Sequence, residues 1–297
     1  MASTVREQAP QLGDTLRSYL ALAKLRIVLL LVFTTVTAMF IAADGAPRAD
    51  ILILTTLGGA LAAGGASAVN QFWDRDMDAK MSRTARRPIP AGRVSPTNAL
   101  IYGIALIAWA TFILSMVNWL TALLALGGAF YYIVIYTMIL KRNTVVNILI
   151  GGGAGAMPVL VGWAAVTGTV GFEALILFAI VFYWTPPHSW ALALLVNTDY
   201  ARADVPMMPV ARGEEATRQQ ILLYSVQLLL VSVMPFLFGT LGGIYLVGAV
   251  VLGIGLVYMS VRLIRLKDKA IARATYKYST SYLAFLFLLM IVDRILL

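Results

Sequence analysis

The chain reads as an all-α, polytopic membrane protein, with nine transmembrane helices around a central cavity open to the cytoplasmic side. Three observations predict this. Hydrophobic residues fill 60% of the 297 positions against 12% charged, and the mean hydropathy of +0.84 lies outside the range of soluble globular domains. Nine runs meet or approach the roughly 20 apolar residues that a helix needs to cross a bilayer. The basic residues gather on alternate joins between these runs, as the bias of Lys and Arg toward the cytoplasmic side requires.

Taken in order, residues 1–20 are polar without an apolar core, and read as an N-terminal tail rather than a cleaved signal. Residues 21–297 read as one membrane-embedded domain, with no linker or low-complexity stretch to divide it. The runs fall at about 21–43, 51–72, 97–117, 119–139, 145–166, 172–195, 217–239, 242–263 and 274–296. Short joins near Asn118 and Leu241 predict tight helical hairpins. Gly58, Gly59, Gly64 and Gly65 in the second run, and Gly151, Gly152, Gly153 and Gly155 in the fifth, fit small-residue patterns that let membrane helices approach closely. Pro186 and Pro187 in the sixth are expected to break that helix locally. With the N-terminus inside and nine crossings, all of the 23 Lys and Arg residues except Arg48 and Arg294 fall on the inner side. The location predicted is thus the cytoplasmic (inner) membrane, with the polar inner loops facing the cytoplasm.

The net charge of +9 is mostly this topology and attraction to lipid headgroups. Basic residues spread over several short loops form no nucleic-acid module, so the bilayer is the partner and nucleic acid is not. With no Cys, disulfides and thiolate metal sites are excluded.

Function concentrates on the first long inner loop. Asn70, Asp74 and Asp78 are spaced by four, which lines three oxygen-bearing side chains along one helical face. A magnesium ion takes hard oxygen donors, usually one or two carboxylates, with substrate phosphate and water completing its shell. Arg83 and Arg87 follow directly, and Lys141, Arg142 and Asn147 occupy the next inner loop. Acids for a cation beside guanidinium and ammonium groups for an anion match a metal-bridged diphosphate. A solvated helix end is the plainer reading of the acids, and topology the plainer reading of the basic residues. Neither explains why the two sit side by side in a chain with only 14 acidic residues.

A second acidic pair, Asp199 and Asp204, follows the sixth run, with Tyr200 between them. Five residues correspond to about 500° of helical rotation, so these two do not share a face, and Asp199 is the stronger candidate to complete the metal site. Because the clusters follow the second and sixth runs, they hint at a four-helix repeat. The single histidine, His188, lies inside the sixth run between Trp184 and Trp190. Ionisable groups inside a membrane segment point to function, here a planar substrate or its iron.

These motifs resemble the UbiA-like intramembrane prenyltransferases, which join an isoprenoid diphosphate to an acceptor. Asn70-x3-Asp74-x3-Asp78 with Arg83-Thr84-x2-Arg87-Pro88 is similar to the superfamily's first aspartate motif. Leu140-Lys141-Arg142-x-Thr144, Asn147-Ile148-x2-Gly151-Gly152, Pro187-His188-x-Trp190 and Asp199-Tyr200-x2-Ala203-x2-Pro206 are similar to its haem-farnesylating branch. Ser189 replaces the usual Phe, Leu25 interrupts the usual Lys-Pro-Arg, and Asp204 stands where a small residue is common. The resemblance implies a prenyltransferase domain that moves farnesyl from farnesyl diphosphate to a vinyl group of haem B. Haem B would be a substrate rather than a cofactor. It implies Mg2+ on Asn70, Asp74, Asp78, Asp199 and Asp204, with Asp74, Asp78 and Asp199 catalytic. Asn70, Arg83, Arg87, Lys141, Arg142, Asn147, His188 and Tyr200 would bind substrate. A downstream haem-modifying membrane enzyme is an implied partner. The runner-up keeps the machinery with a quinone-precursor or other aromatic acceptor. A rival of another class is a membrane transporter or haem carrier, which shares the repeat and the cavity.

Overall fold

The computed structural model describes residues 12–296. Among these every regular element is helical, and nine helices are long and apolar enough to cross a membrane. They are span 1 (Leu25–Ala42), span 2 (Ala49–Trp73), span 3 (Pro96–Ser115), span 4 (Trp119–Asn143), span 5 (Asn147–Thr167), span 6 (Phe172–Leu195), span 7 (Gly213–Leu237), span 8 (Gly243–Leu266) and span 9 (Lys269–Leu296). Each contains one predicted run or most of it.

Packing divides the spans into two groups of four. Spans 2 to 5 form one ring, closed where span 2 meets span 5, and spans 6 to 9 form another, closed where span 6 meets span 9. Span 1 lies between them, against spans 2, 5 and 9. The grouping fits the repeat hinted at by the acidic clusters, with spans 2 and 6 as the corresponding first members and spans 5 and 6 packed directly on each other. Spans 2 and 3 cross closely at a pair of glycines. A Cβ on Gly65 would stand 2.6 Å from the Gly103 carbonyl oxygen, and one on Gly103 would stand 2.9 Å from that of Gly65. Gly59 and Gly155, by contrast, face open space.

Both predicted hairpins are present. Asn118 caps span 4, its Oδ1 accepting the Thr121 amide at 2.8 Å while its Nδ2 donates to the Ala164 carbonyl at 2.9 Å. Span 7 turns into span 8 through Gly239, at φ +71°. Here Asp293, from the far end of span 9, accepts the backbone amides of Gly242 and Tyr245 at 2.5 and 2.9 Å. Its neighbour Arg294 pairs with Asp44 at the end of span 1. These contacts gather the joins read as outer at one end of the bundle.

Three segments differ from the sequence reading. Residues 1–11 of the polar tail lie outside the described residues, but the rest begins a helix, Leu12–Ala23, which packs Leu22 with Ala68 of span 2. Lys24, in left-handed backbone at φ 51°, separates this helix from span 1. Pro186 and Pro187 do not break span 6, which is helical through both. Each proline removes only its own N–H, and in an apolar surround no water competes for the remaining backbone bonds. Span 4 begins as an α-helix and widens to a π-helix over Tyr131–Leu140. That winding has no counterpart in the apolar pattern.

Candidate active site

Span 2 ends at Trp73, and a short helix, Arg75–Lys80, continues it with a slight break at Asp74. The hydrogen-bond ladder nevertheless runs on, from the Asp74 amide to Asn70 at 2.9 Å and from the Asp78 amide to Asp74 at 2.7 Å. Asn70, Asp74 and Asp78 therefore do stack on one face, and all three are buried.

Buried carboxylates are costly unless paired, and each of these is. Lys141 donates to Asp74 Oδ2 at 2.5 Å, the Asn70 amide donates to the same oxygen at 2.8 Å, and Arg142 stands 3.7 Å from Oδ1. Arg87 donates to Asp78 Oδ2 at 2.6 Å. Lys24 donates to Asn70 Oδ1 at 3.0 Å. The π-winding supports the arrangement. Thr137 accepts from Asn70 Nδ2 at 3.0 Å while donating to the Tyr132 carbonyl five residues back, and the Lys141 amide likewise reaches back five residues to Tyr136. Asn147 donates to the Lys141 carbonyl at 3.4 Å.

The second acidic segment comes to the same end of the bundle. Ser82 donates to both Asp199 oxygens, at 3.0 and 2.8 Å, the Arg83 amide donates at 3.4 Å, and Arg202 lies 3.4 Å away. Burial pushes the Asp199 carboxyl up, but the Ser82 and Arg83 hydrogen bonds and the Arg202 charge outweigh it and hold the group below its ordinary range. Tyr200 is buried beside it, and burial pushes its phenol up. Asp199 thus pins the loop that carries Arg83 and Arg87. A depressed carboxyl stabilises above its ordinary titration range and loses that contribution as pH falls through the lowered value. Asp199→Asn should loosen the loop, speeding tryptic cleavage after Arg83 and Arg86 by about tenfold, the equivalent of ~1.4 kcal/mol. An unchanged cleavage rate would count against the tie.

Asp204 sits apart from these residues. It is exposed on a turn at φ 54°, and its carboxylate makes no hydrogen bond or ion pair among the described residues. No three acidic or histidine side chains among the described residues stand close enough together to hold an ion. Asp199, expected to complete the metal site, accepts Ser82 Oγ on both of its oxygens. The Oδ1 atoms of Asp74 and Asp78 are buried without a hydrogen-bond partner. Two free carboxylate oxygens, one helical turn apart, suit a hard divalent cation that takes the rest of its shell from substrate and water.

His188 forms a separate station. Its ring stacks on Trp184 at 4.3 Å and leans on Tyr276 at 4.8 Å, and its Nδ1 lies 2.9 Å from Ser279 Oγ. Ser279 gives its one hydroxyl proton to the Tyr276 carbonyl at 2.8 Å. With the Ser279 proton on that carbonyl, Nδ1 is the donor, and Nε2 keeps its lone pair.

Sequence reasoning missed Lys24, Ser82, Thr137 and Ser279. Lys24 was counted only as a topological charge. The hydroxyl residues carry no signal until distant segments meet.

The model of the UbiA prenyltransferase family matches residues 31–289. A protoheme IX farnesyltransferase of Symbiobacterium thermophilum is 50% identical over 285 residues, covering 95% of this chain and 96% of that protein. One from Roseiflexus castenholzii is 50% identical over 293 residues, 98% of this chain but 54% of its own length, so the chain spans about half of that relative. A solved UbiA homolog from Archaeoglobus fulgidus, bound to DMAPP and Mg2+, superposes with a TM-score of 0.67 at 17% identity, over 92% of this chain and 99% of that one. The chain belongs to the UbiA prenyltransferase family.

Proposed function

We propose that the chain transfers the farnesyl group of farnesyl diphosphate to a vinyl group of haem B, with addition of water, to give haem O and diphosphate. The observation that carries the reading is the pair of buried carboxylates with free oxygens, Asp74 and Asp78, set among Lys141, Arg142 and Arg87. The choice of acceptor rests on the relatives of known name, which match nearly the whole chain. The solved homolog bound to DMAPP and Mg2+ supports magnesium as the ion.

Asp74 and Asp78 would hold Mg2+ through their free oxygens, and the bound ion would supply Lewis-acid neutralisation of the leaving diphosphate. Lys141, Arg87 and Arg83 would bind the remaining diphosphate oxygens and stabilise charge as the allylic C–O bond breaks toward oxygen. The vinyl carbon of haem B then bonds to the allylic carbon, and the porphyrin-side cation takes up water and loses a proton. Apolar spans around the farnesyl chain would keep other water away from the allylic cation. His188 would hold haem B through Nε2, its tautomer set by Ser279 as metal-bound imidazoles are commonly set by a partner on the other nitrogen. The location is the cytoplasmic membrane, with the acid-bearing end and residues 1–20 inside. A downstream haem-modifying membrane enzyme would consume the product.

The deciding experiment incubates purified chain with farnesyl diphosphate, Mg2+ and either haem B or 4-hydroxybenzoate. Farnesylation of haem alone is expected, and a product from the aromatic acid alone would overturn the acceptor. A transporter or haem carrier would release no pyrophosphate. His188→Ala should weaken haem binding by about tenfold or more and shift the Soret band, as loss of an axial ligand does. Unchanged affinity and spectrum would eliminate the ligand role.

A further inference from the structure

Four cations of the chain crowd onto one short acidic face. Lys141 and Arg142 stand against Asp74, Arg87 against Asp78, and Lys24 against Asn70. Only two carboxylates, Asp74 and Asp78, answer them there, since Asp199 is turned to Ser82. Burial lowers the Lys24 ammonium to about 7, yet even without it three cations face two carboxylates, so the local formal charge is positive. Fields at buried groups are weakly screened, so such a site disfavours a lone dication and draws in a polyanion.

The fourth cation is placed by the backbone. Lys24 occupies the left-handed break between helix Leu12–Ala23 and span 1. Ser67 and Gln71 of span 2 both donate to the Leu22 carbonyl, each at 2.8 Å. This anchors the break beside Asn70 and aims the Lys24 ammonium at the acidic face.

We infer, resting on the function proposed above, that the site binds its ligands in order: the diphosphate first, and the divalent cation with it or after it. The incoming diphosphate oxygens compete for Lys141 and Arg87 and so release the carboxylates that these side chains neutralise. Only then do Asp74 and Asp78 offer a metal their full charge. In this scheme Lys24 is a diphosphate-binding residue, and Lys141 and Arg87 withhold the metal site until substrate is present.

Two titrations of the purified full-length chain test this. One adds Mn2+ alone and follows the free ion by electron paramagnetic resonance. The other adds inorganic pyrophosphate in excess EDTA and follows heat. Pyrophosphate should bind without metal, and Mn2+ alone should bind Lys141→Met about tenfold more tightly than the parent, the scale of one charge-assisted contact. Lys24→Met should weaken metal-free pyrophosphate binding about tenfold, and Lys24→Arg should restore it. Tight binding of Mn2+ alone to the parent, with pyrophosphate binding retained, would overturn the order and leave the proposed function standing. Failure of pyrophosphate to bind with or without metal would overturn both. The parent titrations decide the order even where a variant does not fold.

Discussion

Asp74→Asn should lower turnover about a thousandfold, the ~4 kcal/mol lost when a preorganised electrostatic group is removed from a reaction centre. The amide keeps the volume of the side chain and an oxygen for Lys141 and Asn70, so the change removes charge more than shape. What goes is the anion that balances Lys141 and that is proposed to hold the metal. Asp78→Asn should behave similarly, because Arg87 loses the same kind of partner. The exposed Asp204 supplies the contrast, and Asp204→Asn should stay within about twofold, as surface substitutions do. The measurement is pyrophosphate release together with farnesylated haem, on protein shown to be monodisperse. Leaving Lys141 buried without its partner also costs stability. The double variant Asp74→Asn with Lys141→Met removes that burden, so it should fold as the parent does and remain inactive. Activity within tenfold of the parent in folded Asp74→Asn would refute metal holding by this residue.

The largest stability effect is expected at Gly162. A Cβ there would run into the Thr35 carbonyl oxygen of span 1, and the Thr35 carbonyl carbon lies only 3.0 Å from that position. The obstacle is backbone, which cannot rotate aside as the end of a side chain can. Span 1 also lies between the two four-helix groups, so pushing it off span 5 disturbs both. Gly162→Ala should cost about 1–3 kcal/mol as overpacking, and Gly162→Leu more. Gly155, on the same helix but facing open space, is the matched control. Gly155→Ala should be neutral or stabilising by up to about 1 kcal/mol through helix propensity. Thermal unfolding in detergent compares the two, and equal midpoints would contradict the close crossing of spans 1 and 5.

Much of this was legible in the sequence, because the bilayer imposes strong and simple rules. An apolar run of membrane length has few options, and the placement of Lys and Arg orients it. Asn70, Asp74 and Asp78 were readable as one face since helical spacing is local. The partners of these acids were not, because a Lys at an inner loop looks the same whether it serves topology or pairs with a buried carboxylate. Lys141 does the latter, and Lys24 reaches the buried Asn70 amide beside it. Asp199 was singled out by its residue type and its place, but its hydrogen-bond partner Ser82 lies 117 positions away. Pro186 and Pro187 misled for a different reason, since the rule that proline ends helices is calibrated where water competes for the backbone.

The wide winding of span 4 makes the site depend on chain length as well as on residue type. Adding or removing a position between Tyr131 and Leu140 while the winding is kept would swing everything beyond it by roughly a quarter of a turn. Lys141 would leave Asp74 with no chemical group altered. Divergence in this region can therefore re-aim Lys141 by an insertion or a gap, a kind of change that residue-by-residue substitution scanning does not sample.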